Sequence, residues 1–247
     1  MSRGFLFVAT FWLEYGMRKT TPTLTLALVA SLFLAAPALA QEQAPPAGAN
    51  AAPAPEAQPP AAPVPEAVTQ APSNPPMTGP QILISTSMGD ITLQLDSVRA
   101  PKSVTNVLRY VREKHYDNTA FYRVAKGFVI QMGSFDANGK GRGIHPGGVP
   151  LEANNGLSNL RGTVAMGRAE APDSATAEFY INLADNTPLD HKADDPGNTT
   201  GYAVFGQVIS GMDVVDAIGN VPTGDNGPMP GQAPVTPIIV KKVTLLK

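Results

Sequence analysis

The sequence predicts a mainly β fold, a closed eight-stranded antiparallel barrel capped by two helices, over residues 81–247. Short apolar runs recur along this part of the chain, and residues that favour turns separate them. The strand–helix–strand rhythm of a parallel sheet is missing, which favours antiparallel pairing. A closed barrel also leaves no unpaired strand edge, which suits a protein with no disulfide to staple it.

The first two strands are predicted at 82–84 and 91–95, on either side of the hairpin signal Met88-Gly89-Asp90. The second run alternates apolar and polar side chains, as a strand with one buried face does. Six further apolar runs complete the eight strands: 120–124, 128–132, 163–166, 179–183, 203–208 and 238–246.

Two helices are predicted between these strands. The first begins at Pro101, since the first turn of a helix does not need the N–H that proline lacks. An apolar stripe with helical spacing follows it, formed by Val104, Val107, Leu108 and Val111. The second covers 212–218, and Gly219 is a natural stop.

Residues 1–40 have the pattern of a secretory signal region. The basic residues Arg18 and Lys19 precede an apolar stretch at 24–34, and Ala38-Leu39-Ala40 resembles a cleavage site. The apolar stretch is shorter than the roughly 20 residues of a membrane-spanning helix. We therefore expect cleavage after Ala40 and a periplasmic protein. Three interpretations of this region stay open: translation begins at Met17, the signal has a long basic region, or the uncleaved signal anchors the protein to the membrane.

Residues 41–80 are predicted to be a disordered linker. They contain 12 prolines and 11 alanines. Such a composition buries too little apolar surface to offset the entropy of ordering. The linker is interpreted as a spacer, or as a tether to the wall or to a partner that binds proline-rich segments.

The composition excludes several classes of function. A net charge of -2 gives no electrostatic reason to bind nucleic acid. The absence of cysteine excludes disulfides, thiol catalysis and thiolate metal sites. The three histidines are dispersed, so we expect no metal site. We also expect a monomer. The glycine-rich residues 139–143 are interpreted as a surface loop, with phosphate binding as the alternative.

Two polar residues in predicted strands, Arg123 and Gln131, require an explanation, because a polar group in apolar surroundings needs a partner. They form either a solvated strand face or a site. Strand alternation predicts that Phe121 and Arg123 share one face and that Tyr122 lies on the other.

Several sequence blocks in order indicate a site: FYRV, GFVIQMG, RGTVAMGR, DSATAEFYINLADNTPLD and GYAVFGQVISGMDVVDAI. Together they resemble the cyclophilin family of peptidyl-prolyl isomerases, especially its exported bacterial members, over about 82–246. The resemblance implies an eight-stranded barrel with two capping helices, no cofactor, and substrates with X-Pro bonds in unfolded or partly folded exported proteins.

The resemblance also implies roles for individual residues. Arg123 matches the catalytic arginine, and Gln131 matches the glutamine that orients it. The matching substrate-binding residues are Phe128, Val129, Tyr180, Leu189 and Tyr202 around the proline, and Gly167 and Arg168 along the substrate backbone. For Phe128 and Tyr180, ordinary barrel core is the alternative.

Two departures from the family pattern bear on activity. Glu178 stands where a second glutamine is usual, close enough to substrate to count among the binding residues. Its carboxylate would either position Arg123 or draw the arginine donors away from substrate. Pro188 replaces a large aromatic residue, so we expect weak cyclosporin binding. The main hypothesis is an isomerase that assists folding of exported proteins. The alternative is a module that binds proline segments with little turnover.

Overall fold

The structure, a computed structural model, describes residues 73–246. Its strands are β1 (Gln81–Thr86), β2 (Asp90–Leu95), β3 (Thr119–Ala125), β4 (Val129–Asp136), β5 (Thr163–Met166), β6 (Phe179–Asn182), β7 (Val204–Ser210), β8 (Thr223–Gly224), β9 (Ala233–Pro234) and β10 (Ile238–Leu245). The helices are α1 (Pro101–Arg112), a short 3-10 helix (Thr187–Leu189) and α2 (Met212–Gly219).

Eight of the strands close into an antiparallel barrel in the order β1-β10-β3-β4-β6-β5-β7-β2. The predicted closed barrel with two helices is therefore confirmed. Strands β8 and β9 pair separately as a short ribbon that the sequence did not predict. Several predicted strand ends move. For example, β4 begins after Phe128, which lies in the preceding turn, and runs on to Asp136, and β6 ends before Leu183.

The barrel interior is built from alternate residues of each strand. In the first hairpin, Ile82 pairs with Leu93 and Ile84 pairs with Ile91. All four side chains are fully buried. The hairpin turn needs Gly89, whose φ is 138°. A Cβ atom there would lie 2.7 Å from a methyl group of Val214 on α2, so the turn and the helix pack closely.

Helix α1 begins at Pro101 and buries its predicted stripe against the barrel. No side chain at its own N-cap accepts a hydrogen bond. Instead, the carboxylate of Glu152 accepts from the backbone N–H groups of Lys102 and Ser103, at 3.0 and 2.8 Å. A carboxylate at a helix N-terminus also interacts favourably with the helix dipole. Thus a residue from a distant loop caps this helix.

Residues 73–80 fell inside the predicted linker, but they pack on the barrel. The Asn74 side chain exchanges two hydrogen bonds with the backbone of Ser158, each 2.8 Å long. The Met77 side chain is buried. The N–H of Leu95 at the end of β2 donates to the Pro80 carbonyl. The end of the predicted disordered segment is corrected accordingly. The signal region and residues 41–72 lie outside the described residues.

Candidate active site

A second apolar cluster lies on the outer face of the barrel wall, separate from the interior core. Its floor is formed by one residue from each of four neighbouring strands, Val129, Ala165, Tyr180 and Val204, with Met77 and Leu157 beside them. The strand residues that flank these four, such as Ile130 and Phe205, point into the barrel interior instead. We call this group the outer cluster.

The rim of the outer cluster contains four partly buried side chains, Ala125, Phe128, Leu189 and Tyr202. All five residues predicted to surround a proline are therefore brought together on one surface. For Phe128 and Tyr180, the alternative of ordinary barrel core is wrong, because both belong to the outer cluster and not to the interior. Pro188, beside Leu189 in the 3-10 helix, is exposed.

A β-bulge in β3 turns Arg123 towards this surface. Phe121 pairs with Met132 and Arg123 pairs with Gln131, so Tyr122 is an extra residue in the ladder. An extra residue interrupts strict alternation and re-aims the side chains beside it. The prediction that Phe121 and Arg123 share a face is wrong, since Phe121 lies in the interior core. The prediction for Tyr122 is also wrong, because its hydroxyl group accepts from Gln131.

The pairing of the strands aligns the polar and apolar parts of the site. Arg123 pairs with Gln131, Gln131 with Tyr180, and Tyr180 with Ala165. Four strands thus contribute one residue each to a row that crosses the barrel wall. The row begins with a guanidinium and ends in the floor of the outer cluster, so the charged group and the apolar surface are adjacent.

Two amide side chains hold the Arg123 guanidinium. Its Nη1 donates to Oε1 of Gln131 at 2.9 Å, and its Nε donates to Oε1 of Gln232 at 2.6 Å. Within residues 73–246, its Nη2 has no hydrogen-bond partner and Arg123 makes no ion pair. The guanidinium is therefore fixed in orientation while keeping an uncompensated charge and free donors.

Glu178 forms no hydrogen bond or ion pair with Arg123; it bonds Gln131, which in turn bonds Arg123. Its Oε2 accepts from Nε2 of Gln131 and from the hydroxyl group of Tyr122, each at 3.0 Å. Burial raises the pKa of the Glu178 carboxyl, while hydrogen bonds from Gln131, Ser134 and Tyr122 oppose the rise. Burial, together with the charge of Glu178, raises the pKa of the Tyr122 hydroxyl far above its usual value. Tyr122 therefore stays a neutral donor.

The segment after β5 carries Gly167 and Arg168. The Gly167 N–H donates to the Glu178 carbonyl at 2.8 Å. A Cβ atom at Gly167 would lie 3.0 Å from the Cβ of Glu178, so the two segments pack closely. Among the described residues, neither the backbone N–H nor the carbonyl of Arg168 has a hydrogen-bond partner. These groups remain available to an extended peptide.

The Arg168 side chain ties this segment to the loop before β7. Its guanidinium donates to the backbone carbonyls of Thr199 and Gly201, at 3.1 and 3.0 Å. It also lies over the ring of Tyr202, 5.1 Å from the centroid. Tyr202 in turn meets Tyr180 edge to face, with 5.9 Å between ring centroids. The side chain thus supports one wall of the outer cluster.

Three contributors to the site went unrecognised in the sequence. Gln232 follows Arg123 by 109 residues. The fully buried Asn159 accepts the hydroxyl hydrogen of Tyr180 at 2.9 Å, below the outer cluster. Tyr122 joins the polar network because of the bulge. No sequence pattern connects Gln232 to Arg123, and Asn159, between Ser158 and Leu160, carries no signal of its role either.

The described residues contain no group of three His, Cys, Asp or Glu side chains able to hold a metal ion. They also contain no helix long and apolar enough to cross a membrane. The arrangement is an apolar cluster with a buried floor and a partly buried rim, with one oriented cation beside it and unpaired backbone groups along its edge. These features are suited to an extended peptide that carries an apolar ring.

This class of site agrees with comparisons to known proteins. The model for the cyclophilin type peptidyl-prolyl cis-trans isomerase family matches residues 81–245. The chain belongs to this family, so its activity is peptidyl-prolyl cis-trans isomerisation and its substrates are proline-containing peptides. The predicted enzyme class is confirmed.

Individual relatives support the assignment. The chain is 44% identical over 170 residues to peptidyl-prolyl cis-trans isomerase A of Dickeya dadantii, covering 69% of this chain and 86% of the relative. It is 43% identical over 164 residues to peptidyl-prolyl cis-trans isomerase B of Escherichia coli, covering 66% and 98%. A crystal structure of a Cryptosporidium parvum cyclophilin in the presence of the dipeptide Ala-Pro has a TM-score of 0.56 at 25% identity, covering 68% and 99%.

Proposed function

We propose that this isomerase assists the folding of exported proteins, and that Arg123 is the residue that accelerates rotation about the X-Pro bond. Uncatalysed rotation takes tens of seconds or longer, which is slow enough to limit folding. The observation that carries the proposal is the Arg123 guanidinium, held by two amides beside the outer cluster with Nη2 free.

The chemistry requires no covalent intermediate. Resonance gives the C–N bond double-bond character and a barrier of about 18–20 kcal/mol. In the twisted state the resonance is lost and the prolyl nitrogen regains a lone pair. A donor aimed at this nitrogen stabilises the twisted state more than the planar one, and such differential stabilisation lowers the barrier. Arginine suits the role because it stays protonated and presents its donors in a rigid plane.

The outer cluster supplies the binding part of the mechanism. Phe128, Val129, Tyr180, Leu189 and Tyr202 would surround the proline ring. The ring would exclude water from the guanidinium, and a hydrogen bond in a drier environment is electrostatically stronger. The unpaired backbone groups of Arg168 would pair with the substrate chain on the far side. With the substrate backbone held there, the part of the peptide on one side of the X-Pro bond can rotate while the other side stays bound.

Replacement of Arg123 tests this mechanism. In a protease-coupled assay on an X-Pro peptide, we expect Arg123→Ala to lower kcat/KM by about 100-fold, as removal of a preorganised donor does. The matched control is Arg112→Ala, which removes an exposed arginine at the end of α1. Calorimetric titration with a proline peptide should show that the Arg123 variant still binds.

The alternative, a binding module with little turnover, predicts a different result. Wild type and Arg123→Ala would then show the same negligible rate, although both would bind denatured proteins. The alternative depended on Glu178 drawing the donors of Arg123 away from substrate. The contacts of Glu178 with Gln131 and Tyr122, rather than with Arg123, favour the catalytic proposal.

Export is supported by the sequence of residues 1–40 alone. We propose cleavage after Ala40 and a periplasmic location, with residues 41–72 as a spacer. Mass spectrometry of the protein purified from its natural host tests this. An N-terminal Gln41 supports the proposal. A chain that keeps residues 17–40 and fractionates with membranes would instead favour an uncleaved anchor.

A further inference from the structure

We infer that Gln232 is a positioning residue for catalysis: its side-chain carbonyl fixes the plane of the Arg123 guanidinium, so that the free Nη2 edge faces the substrate. The inference rests on the proposed function of Arg123. It adds a residue from the loop between β8 and β9 to a site whose other residues come from the barrel wall and the segments packed on it.

The geometry of a guanidinium explains why a second amide matters. The group is planar, and one hydrogen bond leaves it free to swing about the bonded atom. Gln131 holds Nη1 and Gln232 holds Nε, at 2.9 and 2.6 Å. Two contacts on different nitrogens define the orientation of the plane. The remaining nitrogen, Nη2, has no partner within residues 73–246, so its donors stay free.

Gln232 is itself held by the chain around it. The backbone carbonyl of Gln232 accepts from the backbone N–H of Val124, the residue after Arg123, at 2.7 Å. The backbone N–H of Gln232 donates to the carbonyl of Met229 at 3.0 Å. The following residues, Ala233 and Pro234, are buried and form β9. A backbone hydrogen bond one residue further along β3 therefore reinforces the side-chain contact with Arg123. It fixes the backbone of Gln232, from which the side-chain amide extends.

The neutral charge of Gln232 matters as much as its position. A carboxylate at 2.6 Å would form an ion pair with Arg123 and compensate the charge that polarises the substrate. An amide oxygen accepts the hydrogen bond without doing so. Both hydrogen-bond partners of Arg123 are glutamines. The carboxylate in the network, Glu178, is separated from Arg123 by Gln131.

The test compares Gln232→Met, which keeps the shape of the side chain and removes the strong acceptor, with wild type. We expect kcat to fall about tenfold, while KM changes less than twofold because the outer cluster is untouched. The Nε–H signal of Arg123 in ¹⁵N NMR spectra should shift and exchange faster with water. Gln232→Glu keeps an acceptor of the same length, so its Nε–H signal should stay protected and its kcat should lie between the two.

The matched control is Val235→Ala, in the same segment, where the side chain is 57% exposed and away from Arg123. It should leave kcat, KM and the Nε–H signal unchanged. A wild-type kcat in Gln232→Met would overturn the inference, as would an equal loss of kcat in Val235→Ala or an unchanged Nε–H signal. If Arg123→Ala kept the wild-type rate, the proposed function itself would fail, and the Nε–H signal would still report separately on the contact with Gln232.

Discussion

Replacing Glu178 with glutamine removes one negative charge and keeps the length and shape of the side chain. Glu178 accepts hydrogen bonds from Gln131 and Tyr122 and forms no hydrogen bond or ion pair with Arg123. Its hydrogen-bonded connection to Arg123 passes through the Gln131 amide, which gives its oxygen to Arg123 and its nitrogen to Glu178.

The charge of Glu178 selects one of two orientations of the Gln131 amide. A flipped amide would set its oxygen against a carboxylate and its NH₂ group against a guanidinium. Hydrogen bonds to charged groups contribute about 1.5–3 kcal/mol, and neutral ones about 0.5–1.5 kcal/mol. The carboxylate therefore favours the observed orientation by about 1 kcal/mol more than a glutamine would. Arg123 still favours the observed orientation in the variant, and even with no preference left only half of the molecules would be flipped, so kcat/KM should fall by no more than about twofold.

The same replacement should stabilise the fold at neutral pH. Burial raises the pKa of the Glu178 carboxyl above its ordinary value of 4.5, so the folded protein binds this proton more tightly than the unfolded chain does. The free energy of unfolding therefore decreases as pH rises from the ordinary pKa of the carboxyl through its raised pKa, and it stays lower at higher pH. Glutamine resembles the protonated acid, so Glu178→Gln should have a higher Tm at pH 7, and the difference should close below about pH 4.

Protease-coupled kinetics at pH 7 and thermal unfolding from pH 3 to 8 test both effects. Glu170→Gln is the control, since it removes the same charge from an exposed side chain. We expect Glu170→Gln to have a kcat/KM near that of wild type and a Tm near that of wild type at each pH. A several-fold rise in kcat/KM for Glu178→Gln would refute the reasoning, because it would mean that the carboxylate withdraws the donors of Arg123. A Tm at pH 7 below that of wild type would refute the argument from burial.

Three other side chains give predictions of known sign. Met77→Ala should lower the free energy of unfolding by about 2–3 kcal/mol in urea titrations, because it empties part of the outer cluster. The control Met88→Ala, at a residue that is 40% exposed, should leave the free energy of unfolding near that of wild type. Glu152→Gln should cost about 1 kcal/mol by the same measurement, since the cap of α1 loses its charge. Arg168→Met should raise KM several-fold with a smaller change in kcat, because the wall at Tyr202 loses its support; an unchanged KM would contradict this role.

Most of the barrel could be predicted because its elements follow local rules. The alternation in 91–95 and the helical stripe from Val104 to Val111 each reflect one buried face, and burial of one face is what a sequence period records. Half of the outer cluster was also foreseen through the resemblance of whole sequence blocks, namely Phe128, Val129, Tyr180, Leu189 and Tyr202. Its residues come from β4, β5, β6, β7 and the 3-10 helix, and no single pattern along the chain connects them.

What could not be predicted depends on contacts between distant segments. The bulge at Tyr122 breaks the period of two that predicted its orientation, and the sequence FYRV carries no mark of it. Residues 73–80 have the proline-rich composition of a disordered segment, yet Asn74 and Met77 find partners on the barrel. Composition reports the average tendency of a segment, whereas two well-placed side chains can decide where its folded part begins.

The polar network explains how a carboxylate can lie near Arg123, the proposed catalytic residue, without forming an ion pair with it. Gln131 lies between Arg123 and Glu178 with its oxygen towards the cation and its nitrogen towards the anion. Its dipole is therefore favourably oriented in the field of both charges, and the amide separates them. A direct ion pair would satisfy Arg123 and reduce what it offers to the prolyl nitrogen. With Gln232 on the other side, the two glutamines restrain the direction of the guanidinium and leave its charge for the substrate. Two neutral amides thus orient the guanidinium, and the carboxylate of Glu178 accepts a hydrogen bond from the Gln131 amide instead of from the arginine.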